Sequence, residues 1–112
     1  MHESVKTVLI GELHEDRLEL AKKVRSGDRL WAVREPDNEY DTNAVALYSA
    51  YGQVGYLPTA QAAEIAPAMD EGRGIAVEVT GRNHSASGDL VRLEVTWGYD
   101  VAPQPPRPAP PV

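Results

Sequence analysis

Cysteine is absent from the chain, which excludes a disulfide framework and a thiolate zinc site and is compatible with a reducing cytoplasm. Long apolar runs are missing as well. No segment is long enough to cross a bilayer as a helix, and Met1 to Ile10 lacks the apolar centre of a secretory leader. Positive charge is scarce: 11 Lys and Arg stand against 17 Asp and Glu, for a net charge of −6 and a pI near 4.9. That balance is opposite to the basic footprint of proteins that hold duplexes by neutralising phosphates, so non-specific duplex binding is not expected. A local site is not excluded, because acids more than about 8 Å away are largely screened at physiological salt. The absences together predict a soluble, cytoplasmic protein without a membrane partner.

Candidate metal and catalytic sets are also lacking. His2, His14 and His84 are scattered without partner ligands at a known spacing. Asp37, Glu39 and Asp41 imitate the start of a calcium loop, but Thr42 occupies the required glycine position and Tyr48 that of the closing glutamate. Glu35 has carboxylate neighbours but no nucleophile, phosphate cradle or metal. No cofactor and no enzymatic activity are expected.

What is present is a single domain's worth of alternating segments in 112 residues. Val5 to Ile10 reads as a strand ended by Gly11, Leu13 to Val24 as a short amphipathic helix broken by Ser26, Gly27 and Asp28, and Arg29 to Val33 as a second strand. Ala44 to Tyr48 and Gln53 to Leu57 flank a turn at Ser49 to Gly52 and suit a hairpin. Thr59 is placed to cap a helix through Met69, with Ala62, Ile65, Ala66 and Met69 on one face, a kink or frayed turn at Pro67 and a stop at Gly72. Ile75, Val77 and Val79, then Val91, Leu93, Val95 and Trp97, alternate as two long strands, joined by a polar connector from Asn83 to Gly88. Trp31 and Trp97 fall in strands and are expected in the core. About six strands and two helices predict a mainly β domain over residues 1–100, with a strongly curved antiparallel sheet or a partly open, OB-like barrel. From residue 101, six of twelve residues are proline, which predicts an extended polyproline or disordered tail outside the core.

The densest polar stretch is Glu35, Pro36, Asp37, Asn38, Glu39, Tyr40, Asp41, Thr42 and Asn43, set between two apolar runs. Such side chains either bond their own backbone in a tight turn or present a recognition surface around Tyr40. Arg34 pairs with Glu35, Asp37 or a neighbouring strand, or else meets a phosphate. Tyr56 is divided between core and stacking roles. Lys22, Lys23, Arg25 and Arg29 form either a basic patch or a solvated helix face.

Arg34, Glu35, Pro36, Asp37, Asn38, Tyr40, Asp41, Asn43, Ala44 and Val45, followed by Gln53, Val54, Gly55, Tyr56 and Leu57, closely resemble the signature of the HIRAN domain. The Ala62, Ala63 pair and the Ala66, Pro67 step fit the same family. The resemblance implies an OB-like barrel that binds without catalysis and, in its DNA-binding members, grips the 3′ end of single-stranded DNA in repair or replication-linked processes. Carried over by position, the contacts fall on Asp37, Asn38, Tyr40 and Asp41, with Tyr56 and Thr59 nearby and Arg34 at the edge. Asp37 stands where DNA-binding members carry Asn, Thr59 where they carry Lys, and no clear match to their Arg and aromatic pair is found around Leu13, His14 and Arg17. The resemblance therefore implies weak binding of a 3′ end by a monomer, with helicase or nuclease proteins as further partners. The alternative is a protein-interaction or structural module that keeps the HIRAN fold and has lost DNA binding.

Overall fold

The computed structural model describes residues 2–11, 15–85 and 88–107. Leu13 and His14 lie outside them. In chain order the elements are β1 (His2–Val8), α1 (Glu15–Ala21), β2 (Arg29–Arg34), β3 (Val45–Tyr48), β4 (Gln53–Tyr56), α2 (Thr59–Asp70), β5 (Gly74–Ser85) and β6 (Gly88–Gly98). The strands form one antiparallel sheet in the order β1-β6-β5-β2-β3-β4. Main-chain bonds between Ile10 and Tyr56 (Ile10 N to Tyr56 O 3.0 Å, Tyr56 N to Ile10 O 2.8 Å) link the chain just after β1 to the far edge strand, curling the sheet into a half-barrel. The mainly β, OB-like architecture expected of the sequence is the one observed.

Alternation of side chains across the pleat sends Ile75, Val77 and Val79 of β5, and Val91, Leu93, Val95 and Trp97 of β6, into the core. There they meet Leu30, Val45, Leu47 and Val54, and α2 covers the group with Ala62, Ile65 and Ala66. After α2, Gly72 takes φ +84°, and bonds from Gly72 N to Met69 O (2.9 Å) and from Arg73 N to Ala68 O (3.1 Å) close a Schellman turn. The glycine stop is thus explained by its left-handed backbone. Pro67 lies within α2 without ending it.

Three local expectations are corrected. The residue before α2 is Pro58, which makes no side-chain cap, and Thr59 is the first helical residue. Pro58, at φ −56° and ψ 149°, is extended as an N-cap residue is, and its carbonyl accepts the first helical bond from Ala62 N at 2.9 Å. Of the expected connector, Asn83 to Ser85 and Gly88 belong to strands, because β5 and β6 stay paired beyond a bulge at Val79/Gly81, with Asn83 opposite Leu90 and Ser85 opposite Gly88; Ala86 and Ser87 lie outside the described residues. Trp31 is only half-buried, and its indole Nε1 donates to the carbonyl of Pro105 at 3.0 Å.

That contact belongs to a seam in the sheet. β2 pairs with β5 only through Arg29 and Leu30, so the outer edge of β2 is left open from Ala32 onward. The Gln104 side chain fills the place of a neighbouring strand, accepting from Ala32 N at 2.8 Å and donating to Ala32 O at 2.9 Å. Segment 101–107 thus meets β2 at this seam through Gln104 and Pro105.

Candidate functional site

The polar excursion between β2 and β3 is tied at its base. Glu35 N bonds Ala44 O (3.0 Å), Asn38 N bonds Glu35 O (3.1 Å) and Ala44 N bonds Asp41 O (3.0 Å). Arg34 holds it from beneath: Nε and Nη2 donate to the two oxygens of Asp70 on α2 at 2.9 and 3.2 Å, while Nη1 donates to Ala44 O at 2.9 Å and Nη2 to Thr42 O at 3.1 Å. The pairing expected for Arg34 is therefore realised with a helix residue distant in sequence. Neither Glu35, nor Asp37, nor a neighbouring strand is the partner.

Within the loop, Asn38 Oδ1 accepts from Tyr40 N (2.9 Å) and Asp41 N (3.1 Å), and Asp41 Oδ1 accepts from Asn43 N (2.9 Å). These are the backbone-bonding turns that Asn and Asp favour. They fix the conformation that leaves Tyr40 94% exposed. Asn38 keeps one amide hydrogen for another acceptor after donating to Glu35 Oε1 at 3.0 Å. The second carboxylate oxygen of Asp41, Oδ2, has no hydrogen-bond partner among the described residues.

The facing wall comes from the strand closure. Tyr56 donates its hydroxyl to Glu35 Oε1 at 2.8 Å, which locks its ring against the polar loop. The Arg17 guanidinium lies 5.1 Å from the centre of that ring and donates to Gly11 O at 3.2 Å. Gly11 adopts φ +74° to turn the chain from β1 toward α1, and a Cβ there would stand 3.3 Å from the Tyr56 ring. Gly55 is required for a different reason: a Cβ would meet the Ile10 carbonyl and come within 2.8 Å of Leu9 Cδ1, so the β4 closure admits no side chain.

Loop and wall enclose a cavity of about 300 Å³ lined by Ile10, Arg17, Asn38, Tyr40, Asp41, Ala44, Tyr56, Leu57 and Thr59. Five of the positions singled out from sequence, Asn38, Tyr40, Asp41, Tyr56 and Thr59, meet there. Arg34 and Asp37 do not: Arg34 lies behind the loop, and Asp37 is exposed on its outer side. Arg17 is the addition. Its place depends on the Gly11 turn and on how α1 lies along β4, neither of which is encoded in local spacing. The lining combines a cation, a carboxylate oxygen open to a donor, a hydroxyl and two aromatic rings. Among the described residues, no cluster of three or more His, Cys, Asp or Glu side chains is placed to hold a metal ion, and no helix is long and apolar enough to cross a membrane.

The HIRAN domain family model matches residues 9–97. A crystal structure of a protein from Lactobacillus plantarum superposes with a TM-score of 0.72 at 22% identity, covering 87% of this chain and 97% of that one. The HIRAN domain of human HLTF superposes with a TM-score of 0.65 at 23% identity, covering 84% of this chain and 74% of that one. At these identities the likeness to both structures is one of fold. No curated protein matches the chain. The family match spans most of the barrel and both walls of the cavity, and the chain belongs to the HIRAN domain family, a family of DNA-binding modules that are not catalytic by themselves.

Proposed function

We propose that the cavity receives the 3′ terminus of single-stranded DNA. The observation that carries this reading is the juxtaposition, in one small cavity, of the exposed Tyr40 ring with an Asp41 oxygen that can still accept a hydrogen bond. Tyr40 stacks on the terminal base, a contact worth about 1–3 kcal/mol and tolerant of sequence. Asp41 Oδ2 accepts from the free 3′ hydroxyl. An ionised carboxylate is acceptor-only and repels phosphate, so the same oxygen discriminates a terminus from an internal position.

Arg17 supplies the cation to the cavity that Thr59 does not, and the remaining Asn38 amide hydrogen is offered to the sugar or base. Arg34 acts through the loop it anchors, and Asp37 flanks the cavity from outside. With one cation inside, affinity is weak and its salt dependence shallow, at about 0.7 log units per phosphate contacted. The module acts as a monomer on ends produced in repair or replication-linked processes in the cytoplasm, alongside helicase or nuclease proteins. NMR titration with a short oligonucleotide at low salt tests the reading. Shifts at Tyr40, Asp41 and Arg17 are expected, and unmoved signals at all three overturn it.

The net charge of −6 favours a second reading, a protein-interaction module on the same fold. Recovery of a protein partner together with no oligonucleotide binding at low salt selects it.

A further inference from the structure

Three of the 11 Lys and Arg residues of this acidic chain line a second cavity away from the first. Lys23, Arg25 and Arg29, between the end of α1 and the start of β2, line this cavity of about 360 Å³ together with Trp31 and Tyr51. Lys23 Nζ lies 5.1 Å from the centre of the Tyr51 ring. The guanidinium groups of Arg25 and Arg29 are exposed and have no acceptor among the described residues. Lys22, by contrast, is spent on Glu19 at 3.3 Å. The acid in this corner, Asp28, accepts from the main-chain N–H of Arg25 at 2.8 Å, and Glu78 is the residue across the strand pair from Arg29.

The proline-rich segment brings a further cation. Held along the β2 seam by Gln104 and Pro105, it places the Arg107 guanidinium 4.6 Å from the centre of the Tyr48 ring, with Nη1 donating to Ser49 O at 3.5 Å. Ser49 borders the same cavity. Lys23, Arg25 and Arg29 thus line the cavity and Arg107 lies at its border, with Lys23 over Tyr51 and Arg107 over Tyr48, the combination of positive groove and stacking platform that holds single strands.

The corner is aligned with the first cavity. Arg17, early in α1, stacks on Tyr56 at the end of β4, whereas Leu20, late in α1, lies against Gly52, where β4 begins. The two sites are separated by roughly the length of α1, about 10 Å for seven helical residues at 1.5 Å each. Arg82 fixes the end of that helix by donating to the carbonyls of Ala21 and Val24 at 2.6 and 2.9 Å.

We propose that Lys23, Arg25, Arg29 and Arg107, with Tyr51 and Trp31, form a second contact surface for nucleic acid. It takes the phosphate backbone of the strand a few nucleotides upstream of the terminus held in the first cavity. The proposal rests on the 3′-end reading of that cavity.

The test measures fluorescence anisotropy of the full chain with a trinucleotide and a dodecanucleotide sharing one 3′ end, across a salt series. The longer strand is expected to bind about tenfold or more tightly, with a steeper salt slope by about 0.7 per added phosphate contact. K23Q/R25Q/R29Q is expected to lose that gain and to flatten the slope for the dodecanucleotide by about 2, leaving the trinucleotide unchanged, with R107Q a smaller step in the same direction. Circular dichroism of each variant verifies the fold. A triple variant that binds the long strand like the parent overturns the corner and leaves the end site standing. A Y40A/D41N variant that binds both lengths like the parent, while the triple variant loses the long one, overturns the end reading and keeps the corner as a phosphate site on its own. Loss of both lengths in the triple variant overturns the separation of the two sites, and binding of an acidic peptide in place of either oligonucleotide overturns the nucleic-acid assignment.

Discussion

Replacing Arg34 with Met keeps most of the aliphatic stem and removes every guanidinium bond beneath the polar loop. The Arg34 side chain is 15% exposed, whereas its partner Asp70 is 57% exposed, so the two halves of its bonding differ in worth. The ion pair, half in water, contributes at most about 1 kcal/mol. The bonds to the Ala44 and Thr42 carbonyls are charged donors to main-chain acceptors, at about 1.5–3 kcal/mol each. With the lower value for both, Arg34→Met costs about 3–4 kcal/mol in all, and Asp70→Ala costs about 1 kcal/mol or less. Urea denaturation separates them. With a slope of about 1.5 kcal/mol per molar, the midpoint falls by about 2 M for Arg34→Met and by well under 1 M for Asp70→Ala. Equal shifts in the two variants would refute the claim that Arg34 matters chiefly by tying the loop's carbonyls.

Tyr40→Ala is expected to weaken binding of a short single strand by about 1–3 kcal/mol in an anisotropy titration and to leave the urea midpoint unchanged, because the ring is 94% exposed. Gly55→Ala is expected to destabilise the fold by about 1–3 kcal/mol in the same denaturation assay, since its Cβ would press on Leu9 and on the Ile10 carbonyl that closes the half-barrel. Gln104→Ala opens the N–H and C=O of Ala32. The variant is expected to cost about 1–2 kcal/mol and to red-shift Trp31 emission as Pro105 leaves the indole.

Elements governed by local periodicity were legible in the sequence. Val77 and Val79, or Leu93 and Val95, face inward by alternation alone, and Gly72 ends α2 through a backbone conformation that its own residue type favours. The candidate site was legible as far as the signature reached: Asn38, Tyr40, Asp41, Tyr56 and Thr59 do share a cavity. Contacts made by long side chains across the fold were not. Arg34 finds Asp70 on a helix formed much later in the chain, and Arg17 reaches Tyr56 only because Gly11 turns and α1 lies along β4. The role of residues 101–107 depends on a seam that exists only once β2 has parted from β5. Proline content carries no information on the surface that residues 101–107 lie on.

Recognition of a strand terminus by Asp41 is open to a paired affinity measurement. Two oligonucleotides of one sequence, ending in a 3′ hydroxyl or a 3′ phosphate, are titrated against the full chain and against Asp41→Asn. A phosphate about 4 Å from the Asp41 carboxylate is opposed by about 1–4 kcal/mol, depending on how far water screens the pair. Tighter binding of the hydroxyl end by about tenfold or more is expected, with a marked narrowing of that preference in Asp41→Asn. Equal affinity for the two ends in the parent chain would refute the role of Asp41 at the 3′ hydroxyl.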